Sequence, residues 1–82
     1  MNLNSQIKNI VEGMSELSKN DIQAINELLV HDEWGVALEH LCASLIEDNI
    51  NISNEQFIEI RNIGEKMKME SSLWEELNYF IR

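Results

Sequence analysis

The sequence predicts an all-α fold, a compact bundle of four to five short helices. Three observations carry that expectation: proline is absent, only three glycines interrupt the chain, and the apolar residues recur at three- and four-residue spacing. Proline and glycine are the residues that most oppose helix, whereas a strand with one buried face would alternate apolar and polar side chains with period two. At 82 residues there is room for one hydrophobic core, so residues 1–82 are expected to form a single domain.

The first helix carries Ile7, Ile10, Val11, Met14 and Leu17 on one stripe, is weakened at Gly13 and ends at Ser18. Ser18 also suits the N-cap of the next helix, because its hydroxyl can accept from an orphan amide while Asp21 sits well against the helix dipole. That second helix carries Ile22, Ile25, Leu28 and Leu29 and ends near His31. Asp32 or Glu33 then opens a third helix, which runs to about Asp48. On it Trp34, Leu38, Leu41 and Leu45 form a tight apolar stripe with Ala37 and Cys42 beside them, so this helix is expected at the centre, buried from both sides.

The linker Asn49-Ile50-Asn51-Ile52 leads to Ser53-Asn54-Glu55-Gln56, a capping-box pattern in which Ser53 and Gln56 satisfy each other's backbone amides. The fourth helix turns Phe57, Ile60, Ile63 and Met67 inward, and Gly64 lets a neighbouring helix approach closely. A short fifth helix begins after Ser72, whose spacing to Glu75 repeats the capping box, and buries Leu73, Trp74, Leu77, Phe80 and Ile81. Met14 and Met67 fall on core stripes, whereas Met69 beside Glu70 is expected to be exposed. Trp34 and Trp74 both read as core anchors.

Fifteen acids against six Lys and Arg give a formal net charge of -9. A surface this negative repels nucleic acid and anionic lipid over a Debye length of about 8–10 Å, which disfavours direct contact with either. The imbalance is local: from Glu12 to Asp48 nine acids face one base, Lys19. No run approaches the ~20 apolar residues of a membrane span. The lone Cys42 has no partner for an internal disulfide, and the opening MNLNSQIK lacks the apolar core of a signal peptide, so a cytoplasmic location is expected.

Catalytic chemistry is not visible. His31, His40 and Cys42 could join Asp32 or Glu33 as metal ligands, but neither paired-cysteine spacing nor a His-Glu-x-x-His helix is present, so no metal and no cofactor are expected. Cys42 borders the apolar stripe without a nearby base to lower its pKa, which suits a small buried hydrophobe better than a nucleophile. Gly35 and Gly64 are isolated and form no phosphate cradle. The carboxylates read first as a solvated acidic face, because an acid–base dyad needs a cleft that short helices rarely provide.

The third helix has one irregularity. Opposite its Leu stripe lie Glu33, Val36, His40, Ala43 and Glu47, so acids at both ends flank small or apolar residues. Together with Glu39 and Asp48, the set Glu33, Val36, His40 and Glu47 is the candidate partner-binding surface. The plainer reading is that scattered exposed apolar side chains are normal on any soluble protein.

The stretch from His31 to Asp48, HDEWGVALEHLCASLIED, resembles the segment that recurs in MafI-type immunity proteins, small proteins that neutralise polymorphic bacterial toxins. The likeness is carried by Glu33, Gly35, Ala37, Leu38, Glu39, Leu41, Cys42, Leu45 and Glu47. It continues through Ser53, Phe57, Ile60, Ile63 and Met67 to Trp74 and Leu77, covering roughly residues 20 to 80. The resemblance implies inhibition by binding, with no catalytic residue, and a partner that is often a nuclease such as an EndoU-like ribonuclease. A cleft that holds phosphates is cationic, so an acidic inhibitor fits it, either across the cleft or at an exosite beside it. Two other classes share the composition. An acyl carrier protein needs Asp-Ser-Leu at a helix start, whereas Ser44 here follows Ala43 inside a helix. A small regulatory helical adaptor or accessory subunit shares every compositional feature, and the position of the gene beside a toxin reading frame would separate it from an immunity protein.

Overall fold

The computed structural model describes residues 2–82, which form four helices of 10 to 14 residues, a single helical turn and a closing 3-10 helix. There is no strand among the described residues, and the all-α expectation holds. Helix α1 (Leu3–Glu12) is capped by Asn2, whose Oδ1 accepts from the Ser5 amide at 3.2 Å. It stops at Gly13, five residues short of the expected end at Ser18. Met14 and Leu17 are nevertheless buried, delivered by a turn in which Met14 donates to the Val11 carbonyl and Leu17 to that of Met14. Two local preferences explain the early stop: glycine inside a helix costs about 1 kcal/mol relative to alanine, and Ser18 serves better as the next cap.

Helix α2 (Lys19–Val30) starts where expected, with the Asp21 amide donating to Ser18 Oγ at 3.1 Å. Ile25 and Leu29 are buried, whereas Ile22 and Leu28 of the expected stripe are only half-buried. Helix α3 (Trp34–Glu47) follows; of its two candidate openers Glu33 takes the N-cap position without a side-chain cap bond, and Asp32 instead closes α2. Helix α4 (Asn54–Lys66) has both halves of the expected capping box, Gln56 amide to Ser53 Oγ at 3.0 Å and Ser53 amide to Gln56 Oε1 at 2.9 Å. Phe57, Ile60 and Ile63 point inward, and Met67 at the C-cap is half-buried.

Helices α2, α3 and α4 end alike. The residue after each C-cap is left-handed, Asp32, Asn49 and Lys68 with φ of 58°, 52° and 58°. The amide that follows bonds back into the last turn, Glu33 to Leu28 O at 2.8 Å, Ile50 to Leu45 O at 2.9 Å and Met69 to Gly64 O at 3.0 Å. These are Schellman closures formed without glycine, and they fold Ile50 back into the core. The same geometry turns Met69 against the core, half-buried where the sequence suggested exposure.

The final segment departs most from expectation. Helix α5 (Ser72–Glu75) is one turn long and lacks the anticipated Ser72–Glu75 box; Ser71 Oγ donates to Glu75 Oε2 instead, at 3.3 Å. The chain then tightens into the 3-10 helix Glu76–Phe80. Trp74 and Leu77 are buried, while Leu73, Phe80 and Ile81 are half-buried. A single turn gains little from intrinsic helix formation, so tertiary contacts decide its shape. Ile52 donates to Phe80 O at 2.9 Å and Arg82 donates to Ile52 O at 2.8 Å, a parallel bridge that ties the segment to the linker after α3.

Helix α3 packs against every other helix, as expected for the central element. Leu38, Leu41 and Leu45 are fully buried, but Trp34 on the same stripe is half-buried, because it stands at the first position of the helix and at the end of the bundle.

Candidate protein-binding surface

Because α3 is enclosed by its neighbours, only one arc of it reaches solvent. That arc carries Glu33, Val36, Glu39, Ala43 and Glu47, all exposed, with His40 half-buried at its border. At 1.5 Å per residue, Glu33 and Glu47 are about 21 Å apart, so the acids at the two ends flank one long surface and share no pocket.

The border with α2 is a polar cluster. His40 Nε2 donates to Asp21 Oδ1 at 3.2 Å, a hydrogen bond to the carboxylate that becomes an ion pair when the imidazole is protonated. The Asp21 carboxylate is partly desolvated by burial, which by itself raises its pKa. Hydrogen bonds from His40, Ser18 and Ser44 and the charge of His40 outweigh that effect and hold the group below its ordinary 3.8. Serine, histidine and aspartate therefore meet, but in the wrong order for acyl transfer. Ser44 and His40 both turn to Asp21, whereas an activated serine must give its proton to the histidine. Ser44 is also the one buried polar residue among those described, 6 % exposed, which leaves its hydroxyl inaccessible to a phosphopantetheine arm.

Cys42 lies on the inner side of α3, 1 % exposed, and burial together with the nearby charge of Glu39 pushes its thiol up to about 12. It is a packing residue with no thiolate at neutral pH. No group of three or more His, Cys, Asp or Glu side chains among the described residues could hold a metal ion. No helix among them is long and apolar enough to cross a membrane.

The structure divides the sequence-derived residues. Glu33, Val36 and His40 lie along the side of α3 that meets α2, with His40 bonded to α2 itself. Glu39 lies on the other flank, where it lines a groove of about 380 Å³ with Lys68, Met69, Glu70, Ser72 and Leu73. Glu47 ends α3 and Asp48 is its C-cap, both exposed and remote from Glu33.

Sequence reasoning missed the contribution of α2. Ala24, Glu27, Leu28 and His31 line an open groove of about 500 Å³ together with Glu33. A signal for it exists in the sequence. Ile22, Ile25 and Leu29 complete the inward stripe of α2, and a rotation of about 100° per residue carries Ala24 and Leu28 off that stripe toward solvent. Comparison with models of known protein families, with curated proteins and with solved structures returns no match.

Proposed function

We propose that this chain is an immunity protein of the MafI type, which binds a cognate bacterial toxin domain in the cytoplasm and has no catalytic step of its own. The toxin is a nuclease, of which an EndoU-like ribonuclease is the example the resemblance suggests, and its cationic active cleft is covered by the acidic α2–α3 surface. One observation carries the reading: that surface exposes Glu27, Asp32, Glu33, Glu39, Glu47 and Asp48 around apolar side chains, with no Lys or Arg anywhere between Lys19 and Arg61. Long-range attraction from such a surface speeds encounter with a basic partner, and the apolar contacts at its centre set the lifetime of the complex.

The test uses the reading frame directly upstream of the gene. Expressed alone it should kill its host, and expressed with this protein it should not, as colony counts will record. Changing Glu33 and Glu47 to Lys should slow association of the purified pair by about tenfold at low salt while the fold melts unchanged. A frame that is harmless, or equally lethal with and without the protein, would refute the immunity function. Association that ignores both salt and charge reversal would refute the electrostatic mechanism alone.

A further inference from the structure

We propose that the groove along α2 is the docking site of a basic amphipathic segment of the partner protein, whose apolar side chains lie over Ala24 and Leu28 while its Lys or Arg side chains reach Glu27 and Glu33. The inference rests on the reading of the partner as cationic and adds where, and by what chemistry, it is gripped.

Two features of the groove converge. Its floor is apolar and shallow: Ala24 and Leu28 stand one turn apart on the same face of α2, both half-buried. Its rim is acidic without compensation, since Glu27 and Glu33 line it together with His31 and no Lys or Arg takes part. Two of the other surface depressions pair their acids with a lysine, Lys66 between α1 and α4 and Lys68 beside Glu39, and a further one beside Gly13 holds the single acid Glu16. Of the three large apolar side chains that stand exposed among the described residues, Val30 at 76 % precedes His31 and Val36 at 46 % follows Glu33 along the chain, though neither lines the groove; the third, Tyr79, is on the closing 3-10 helix. An apolar centre inside a rim of one charge is the arrangement from which an anchor pocket gains affinity and specificity.

Charge selects the occupant. A second copy of this chain would bring together two chains of net charge -9 each, and an anionic lipid surface would be repelled in the same way. A basic segment with an apolar face satisfies both parts of the groove at once, the helix-in-groove mode of recognition.

The probe is a synthetic peptide of about 15 residues built from Leu and Lys as an amphipathic helix, compared with oligolysine of equal charge. Titrated into the isotopically labelled protein, the amphipathic peptide should shift the amide resonances of Ala24, Glu27, Leu28, His31 and Glu33 and bind about tenfold more tightly than oligolysine. Ala24→Arg, and separately Glu27→Lys, should each weaken it by about tenfold, whereas Glu65→Lys on α4 should change it by less than about twofold. Equal affinity for the two peptides, absence of binding, or shifts spread over Glu55, Glu59 and Glu65 as well would overturn the proposal. So would full peptide affinity in Ala24→Arg. The toxin experiment fails or succeeds independently: protection of cells that survives Ala24→Arg and Glu27→Lys would remove the groove and keep the immunity function. Groove binding of the peptide beside a harmless upstream frame would do the reverse.

Discussion

Replacing Gly64 with alanine should destabilise the protein far more than one methyl group suggests. Gly64 is buried in α4, and the six-membered ring of Trp74 from the next segment lies against it. A Cβ built there would overlap Trp74 Cζ3 and lie 2.7 Å from Cε3 and 3.1 Å from Cη2, whereas carbon atoms pack best at about 3.5–4.0 Å. The indole must therefore retreat by about an ångström, and it has little room: Trp74 is 4 % exposed within the core. Overpacking of this kind costs about 1–3 kcal/mol, and expelling a buried Trp altogether costs about 3–5 kcal/mol. Alanine's better helix propensity returns about 1 kcal/mol. The net loss should be up to about 2 kcal/mol if the ring shifts within the core and about 2–4 kcal/mol if it is expelled, a fall in Tm of up to roughly 15 °C or of roughly 10–30 °C for a domain of this size. Thermal and urea unfolding followed by circular dichroism would measure it. Gly35→Ala is the control, because its Cβ would meet only Met69 Cε at 3.9 Å and Sδ at 4.0 Å; it should be neutral or stabilising by up to about 1 kcal/mol. If Gly64→Ala melts at or above the parent temperature, the Trp74–Gly64 contact does not fix the α4–α5 packing.

Three further outcomes follow from the same geometry. Leu41→Ala, at a fully buried position on the central helix, should lower stability by about 2–5 kcal/mol, and an unchanged melting curve would contradict an α3-centred core. Cys42 should be silent to a thiol-specific chromogenic reagent at neutral pH until denaturant unfolds the chain, because burial keeps it protonated up to about 12; rapid labelling of the native protein would refute its burial. The Asp21 carboxyl, held below 3.8 in the folded state, adds stability that is complete above about pH 4 and is lost as the pH falls through its lower folded value. Asp21→Asn should therefore flatten the acid limb of the stability curve, and a limb of unaltered steepness would show that the His40 and Ser44 bonds carry no linkage.

What was legible in the sequence was what depends on residues within one turn of each other. The Ser18 cap, the Ser53–Gln56 box and the Leu38–Leu41–Leu45 stripe each need only local spacing, and each forms as read. The end of α1 was missed by five residues because Met14 and Leu17 keep helical spacing while leaving the helix, so burial alone could not distinguish a turn from another helical turn. The Ser72–Glu75 box failed because a one-turn helix is shaped by its tertiary contacts, here the Ile52–Ile81 bridge. The burial of Ile50 and Ile52 in a nominal linker is set by the same distant contacts and by the Schellman closure after α3. For the candidate surface, the wheel of α3 placed Glu33, Val36 and His40 on one side. It could not show that α2 lies against that side and adds Ala24, Glu27 and Leu28, nor that Glu39 turns to the opposite flank.

The separation of those residues bears on mechanism. Acids about 21 Å apart along α3 cannot grip one side chain of a partner, and beyond about 8 Å each is screened at physiological ionic strength. Their common effect is therefore on encounter, where the summed field of the surface orients a basic partner before contact. Retention has to come from a place where a docked partner excludes water, and on this side of the molecule the groove offers an apolar floor for it. The two roles separate in kinetics. Reversing Glu47 and Asp48, remote from the groove, should reduce the association rate and its salt dependence with little change in dissociation, whereas Ala24→Arg should mainly hasten dissociation. If reversal of Glu47 and Asp48 instead shortened the lifetime of the complex, the far end of α3 would itself lie inside the contact, and the centre of the interface would have to move from α2 to the outer face of α3.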